Sequence, residues 1–233
     1  MELIFILMAP SRPENVGAAA RALKTMGFSR LRVVASDVHT REEAGWVAHG
    51  AQEILAQAEA FGTLPEALAD LDLCIATTAR QRGRNYRYLT PAEVKAQIRS
   101  KSSLNRVGIL FGCEESGLSN EQIEQSDLVS YLPLKVSYPS LNLGQAVMLY
   151  AYELSALLDE STPSDVVEYP PNGTVHALQC RAAEILDKAA VGQNEKLRDW
   201  VKSSIPLLGQ RDLNLLHLLC KDLARALGMG GKD

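Results

Sequence analysis

Three short polar stretches carry the chemistry open to this chain. The first is Tyr138-Pro139-Ser140-Leu141-Asn142-Leu143-Gly144-Gln145, a proline-primed loop that presents Ser140 and Asn142 just before an apolar run starting at Ala146. Asn142 is a good helix N-cap, because its side-chain oxygen can accept from backbone N–H groups two or three residues on. Polar side chains beside a helix N-terminus suit a polar or anionic ligand, and an ordinary capped turn would use the same residues. The second stretch is Asn15-Val16-Gly17-Ala18-Ala19-Ala20-Arg21, ending at Gly27. Here Asn15 is expected to cap a helix that Gly27 closes in a left-handed conformation. Arg21 falls roughly 120° round that helix from Asn15 and need not face a core. The run Gly17 to Ala20 leaves the first turns thin enough for something to approach the backbone closely.

The third stretch is Phe111-Gly112-Cys113-Glu114-Glu115-Ser116-Gly117, at the end of the apolar run Val107 to Phe111. Gly112 can bring backbone groups close to a ligand. One of Glu114 and Glu115 reads as a solvated loop carboxylate and the other as a working one. Ser119 then opens a short helix.

These stretches need elements to hold them. Apolar runs at Leu3–Met8, Leu31–Ala35, Leu73–Thr77, Val107–Phe111 and Val129–Leu132 read as strands. Helical periodicity alternates with them, over Ala44 to Leu55, Leu64 to Leu71, Pro91 to Ile98 and weakly around Ile123. That alternation predicts an α/β fold with a mostly parallel sheet covered on both faces. Ligands of such sheets gather at the carboxyl ends of strands, which is where the polar stretches fall. No G-x-G-x-x-G follows a strand, no Walker A sequence occurs, and no G-x-S-x-G makes Ser140 a hydrolase nucleophile.

The chain has 233 residues, 46% apolar and 22% charged, as in a soluble globular protein of one ordinary domain plus an appendage. No apolar run is long enough for a membrane span, and the N-terminal apolar run lacks the basic flank of a signal peptide. Cys74, Cys113, Cys180 and Cys220 show no paired spacing, so a reducing cytoplasm is expected. The histidines form no metal-spaced cluster. Pro163, Pro170 and Pro171 mark residues 161–173 as a linker between a domain at 1–160 and a helical extension at 174–233. The last helix of that extension carries an apolar stripe through Leu213, Leu216, His217, Leu219, Cys220 and Leu223, expected to pack on a partner subunit first and to touch nucleic acid second.

A net charge of −4 counts against indiscriminate nucleic-acid binding, but Arg80, Arg82, Arg84 and Arg87 cluster with Tyr86 and Tyr88 interleaved. Such a loop can track phosphates and stack on a base, or simply be solvated.

In this order and spacing, the three stretches resemble the signature motifs of the SPOUT class of S-adenosylmethionine-dependent RNA methyltransferases. The match is to the TrmH/TrmJ branch, in its TrmJ-like, LasT-type group, which methylates ribose 2′-hydroxyls. The likeness spans about residues 2 to 158. It implies a C-terminal trefoil knot, no metal, a tRNA or rRNA substrate, and a homodimer with the active site at its interface, for which the apolar helix after Asn142 is the candidate. It places Arg21 at the catalytic arginine, with Asn15, Glu114, Ser140 and Asn142 completing the site. It assigns S-adenosylmethionine to backbone around Thr77, Thr78, Ala79, Gly112, Leu132, Pro139, Ser140 and Leu141. Glu114 would hold that pocket through hydrogen bonds to the knot backbone. One departure stands out: Cys113 replaces the arginine usual in TrmJ-like proteins. A catalytically silent RNA-binding protein and a base methyltransferase of the same fold are the alternatives.

Overall fold

The computed structural model describes residues 1–79, 86–101, 103–136, 141–158 and 172–229. The strands are β1 (Glu2–Met8), β2 (Arg30–Val34), β3 (Glu59–Phe61), β4 (Leu73–Thr78), β5 (Tyr88–Leu89), β6 (Arg106–Phe111) and β7 (Leu128–Tyr131). The helices are α1 (Pro13–Thr25), α2 (Glu42–Val47), α3 (Gln52–Ala56), α4 (Leu64–Leu68), α5 (Pro91–Arg99), α6 (Asn120–Glu124) and α7 (Leu143–Ser155). Three more follow: α8 (Asn172–Lys188), α9 (Glu195–Ser204) and α10 (Gln210–Ala226).

One sheet takes all seven strands in the order β3-β2-β1-β6-β4-β7-β5, and every described pairing is parallel. The five expected strands form within a residue or two of their expected ends. The edge strands β3 and β5 were not expected: three and two residues carry no readable alternation. The helix expected over Ala44 to Leu55 divides into α2 and α3, because Gly50 between them adopts φ +72. The periodicity survives the break, since Ala44, Ala48, Ala51 and Ile54 are all buried.

Central strands buried on both faces read as continuous apolar runs, which is why β1 and β6 were legible. Phe5 of β1 stacks on Phe111 of β6 at 6.2 Å between centroids, and Tyr150 of α7 meets Phe111 edge-on at 5.4 Å. The buried Tyr150 hydroxyl donates to Ser130 Oγ at 2.7 Å, which donates to the Leu89 carbonyl at 2.8 Å. This relay satisfies two buried hydroxyls and ties α7 to β7 and β5. On the other flank Arg32 is 2% exposed and forks onto both oxygens of Asp70 at 2.7 and 2.8 Å.

The chain divides into two compact units. The first holds the sheet and α1 to α7, apart from residues 86–87 and 97–103, which group with the second. In the second, Val175, Leu178, Ala182 and Ile185 of α8 form a core with Val201, Ile205, Leu213, Cys220 and Ala224. No described helix is long and apolar enough to cross a membrane. The described residues hold no group of three or more His, Cys, Asp or Glu suited to a metal.

Candidate active site

Strand order assembles the site. In the sequence β1, β4, β6 and β7 are scattered, but in the sheet they run β1-β6-β4-β7. Their carboxyl ends therefore stand side by side. The loop to α1 leaves β1, the Gly112–Leu118 loop leaves β6, Thr77 and Thr78 end β4, and Leu132 follows β7. Register keeps them level: Leu7 pairs with Phe111, Ala76 with Leu110, and Thr78 with Tyr131.

Glu114 links the first two of these loops. Its Oε2 accepts from the Ser11 backbone N–H at 3.0 Å and the Ser11 hydroxyl at 3.1 Å. Its Oε1 accepts from Asn15 Nδ2 at 3.0 Å and the Arg12 N–H at 3.3 Å. Partial burial works to raise the Glu114 pKa. The Ser11 N–H, the Asn15 amide and the Ser11 hydroxyl outweigh it, and the carboxyl sits below its ordinary range. Neighbouring Glu115 is exposed.

One expectation is corrected here. Asn15 is not the cap of α1: Arg12 occupies that position with φ −114 and ψ 116, and Pro13 opens the helix. Pro13 wins because its fixed φ suits a first helical residue. The Asn15 amide is thereby free to bind Glu114. Among the described residues the side-chain contacts of Glu114 run to the loop before α1 and to Asn15.

The third motif arrives through α7. Asn142 caps that helix as expected, accepting from the Gln145 N–H at 2.8 Å, while the Gln145 side chain accepts from the Asn142 N–H at 3.1 Å. Two residues on, Gly144 lies against α1. A Cβ there would stand 2.7 Å from the Ala18 Cβ. The thinness of α1 serves helix packing: a Cβ on Gly17 would come 2.1 Å from the Ala44 carbonyl oxygen. Arg21, one turn beyond Ala18, is exposed and makes no ion pair among the described residues. Asn15, Ala18 and Arg21 thus follow one another in three-residue steps that wind part-way round α1, Asn15 holding Glu114 and Ala18 holding the start of α7.

Residues 2–152 match the model of the SpoU rRNA methylase family, and residues 172–227 match the C-terminal domain of the tRNA/rRNA methyltransferase LasT. The chain belongs to the SpoU rRNA methylase family. It is 43% identical over 226 residues to a protein of Escherichia coli named as an uncharacterized tRNA/rRNA methyltransferase LasT, covering 97% of this chain and 98% of that one. It is 34% identical to the tRNA (cytidine/uridine-2′-O-)-methyltransferase TrmJ of Cronobacter sakazakii, across 75% of this chain and 73% of the relative. The crystal structure of TrmJ from Zymomonas mobilis superposes with a TM-score of 0.67 at 30% identity, covering 96% of this chain and 99% of that one.

The positions that resemble this family's cofactor site have mixed duties. Thr77 donates its hydroxyl to the Leu110 carbonyl at 2.9 Å, so that side chain is engaged within the sheet. Gly112 admits no Cβ because the Gly117 carbonyl carbon would lie 2.1 Å away. Its close approach is to its own loop, which Gly117 closes at φ +68 with an N–H to the Cys113 carbonyl at 2.9 Å. Thr78, Leu132 and Leu141 are partly exposed and Ala79 is exposed. Pro139 and Ser140 lie outside the described residues, as do Arg80, Arg82 and Arg84; Arg87 is exposed.

Cys113, which stands where the TrmJ-like arginine is usual, sits 3.0 Å from Ser116 Oγ. The Ser116 hydroxyl lowers its thiol pKa. Of the apolar helix expected at the dimer interface, Val147, Ala151 and Leu154 are buried within the chain, while Leu149 and Tyr152 are 40% and 66% exposed. Sequence reasoning missed Ser11 and Ser116. Each is an ordinary loop serine until Glu114 and Cys113 are seen beside it.

Proposed function

We propose that this chain transfers a methyl group from S-adenosylmethionine to a ribose 2′-hydroxyl of RNA, with tRNA the first substrate to test and rRNA the second. The observation that carries the reading is the gathering of three sequence-distant motifs on α1: Glu114 on Asn15, the capped start of α7 on Ala18, and Arg21 on the next turn. The relatives whose printed names state a nucleotide are tRNA 2′-O-methyltransferases, and this supports the ribose over a base nitrogen. The presence of Asn15, Arg21, Glu114, Ser140 and Asn142 together argues against a silent RNA binder.

The donors fit the cofactor. Thr77, Thr78, Gly112 and Leu132 line adjacent strand ends with neutral backbone, and Leu132 and Leu141 offer partly exposed apolar surface for an adenine. Bound there, S-adenosylmethionine supplies an electrophilic methyl carbon and leaves as a neutral thioether, which calls for no metal.

The rest falls to the protein. Arginine stays protonated in proteins, so Arg21 acts as a cationic fork and not as a base. It grips the phosphate next to the target ribose and stabilises the oxyanion that develops at the 2′-oxygen. The hydroxyl proton leaves to that phosphate or to water. Asn142 and Ser140 orient the nucleotide, and Glu114 positions Arg21 by holding the loop that opens α1. Arg80, Arg82, Arg84 and Arg87 track the RNA backbone. The working form is a cytoplasmic homodimer joined through the exposed side of α7, where Leu149 and Tyr152 await a partner.

The test is incubation with labelled S-adenosylmethionine and total RNA from a strain lacking the protein, followed by digestion and nucleoside mass spectrometry. A 2′-O-methylated nucleoside is expected, lost with Arg21→Ala and strongly reduced with Arg21→Lys. Label on a base would overturn the ribose assignment; full turnover by Arg21→Lys would overturn the fork.

A further inference from the structure

We infer that the outer face of α10 is a seam between two copies of this chain, paired antiparallel in one register. The inner face is accounted for: Leu213, Cys220 and Ala224 are buried in the core of the helical unit. On the opposite side Leu215, Leu218, Leu219 and Leu223 are 56%, 56%, 54% and 42% exposed. A surface helix ordinarily carries one apolar stripe and a polar back. A second stripe of leucines at three- and four-residue spacing calls for a second partner.

Charge chooses the occupant and its direction. Arg211, Leu215, Leu218 and Asp222 follow a 4-3-4 spacing, which is the seam of a heptad repeat. Parallel pairing would set Arg211 against Arg211 and Asp222 against Asp222. Antiparallel pairing centred between Leu216 and His217 sets Leu215 against Leu218 and Arg211 against Asp222, each twice by symmetry. It also brings Asp212 opposite Lys221. Moving one heptad toward the C-terminus puts Leu218 opposite Asp222 and Leu215 opposite Arg225; moving one heptad the other way puts Leu215 opposite Arg211. A single register therefore buries Leu215 and Leu218 against each other, with Leu219 flanking them, and matches the charges. This is a two-fold, self-complementary contact. Asp222 is now engaged only loosely, 3.7 Å from Arg225 with both side chains about three-quarters exposed, so it can turn to a second copy.

The seam is independent of methyl transfer and of the α7 contact, so its test reads α10 itself. In the full-length chain with Cys113 and Cys180 replaced by serine, Leu215→Cys and Leu218→Cys chains are mixed and oxidised. His217→Cys, exposed on the side of α10 away from the seam, is the control. Disulfide-linked dimers between positions 215 and 218 are expected at least tenfold above the control. Arg211→Glu should lower that yield several-fold, and adding Asp222→Arg to the same chain should restore it. Cross-linking no greater than the control, leaving the leucines for some other partner, would overturn the seam. So would cross-linking that ignores the charge reversals, because the register would then be wrong. Melting curves of each variant confirm folding, which these exposed positions should leave intact.

Discussion

Glu114 and Asn15, 99 residues apart in the chain, meet at 3.0 Å, and the same carboxylate holds the Ser11 and Arg12 backbone N–H groups. One side chain thereby fixes how α1 enters, and α1 carries Arg21. Glu114→Gln keeps the volume but turns an amide donor toward groups that are all donors. We expect turnover to fall roughly ten- to a hundredfold, with cofactor affinity little changed. Single-turnover kinetics beside calorimetric titration of S-adenosylmethionine check this; equal loss in both would make Glu114 a pocket residue.

Asn142 has two separable duties. Asn142→Ala removes the cap and should cost about 1 kcal/mol of stability. Asn142→Asp keeps a capping oxygen but loses the amide, so melting should be nearly unchanged while methyl transfer drops. If the Asn142→Asp variant turned over normally, Asn142 would be a cap and nothing more.

The crossing of α1 and α7 is set by contact between Gly144 and Ala18. Gly144→Ala places a Cβ 2.7 Å from the Ala18 Cβ, an overlap expected to cost about 1–3 kcal/mol. Ala18→Gly in the same chain should recover most of it. Denaturant unfolding of the four members of this cycle gives the coupling directly.

Asp70 should govern part of the acid limb of stability. The hydrogen bond it accepts from the buried Arg32 holds its pKa at about 2, below the unfolded value. The contribution is full above about pH 4 and is lost as pH falls toward 2. It stays modest at neutral pH, because the Asp70 side chain is 40% exposed and solvent screens the pair. Asp70→Asn should therefore lower the urea midpoint at pH 7, and the gap from wild type should close between about pH 4 and pH 2.

Cys113 should be a fast thiol. The Ser116 hydroxyl lowers its pKa, whereas burial pushes Cys74 up to about 12. Peptide-level alkylation rates at pH 7.5 should rank Cys113 well above Cys74. Ser116→Ala should slow Cys113 specifically; an unchanged rate would mean that exposure alone sets its reactivity.

Much of this protein was written locally. Five strands announced themselves as apolar runs. Ser119 and Asn142 cap the helices they were expected to cap, and Gly27 closes α1 at φ +84. These features depend on hydrogen bonds and torsions spanning a few residues, so residue order suffices to determine them. What only the tertiary structure decided is long-range. The insertion of β6 between β1 and β4 brings the motifs to one rim, and no stretch of sequence encodes a neighbour 100 residues away. The same holds for the glycines. Gly17 and Gly112 looked like room for something to come close, but packing fills each with the chain itself, Ala44 and Gly117, and Gly144 likewise closes on Ala18. A missing side chain shows that something comes close; only the assembled fold shows what.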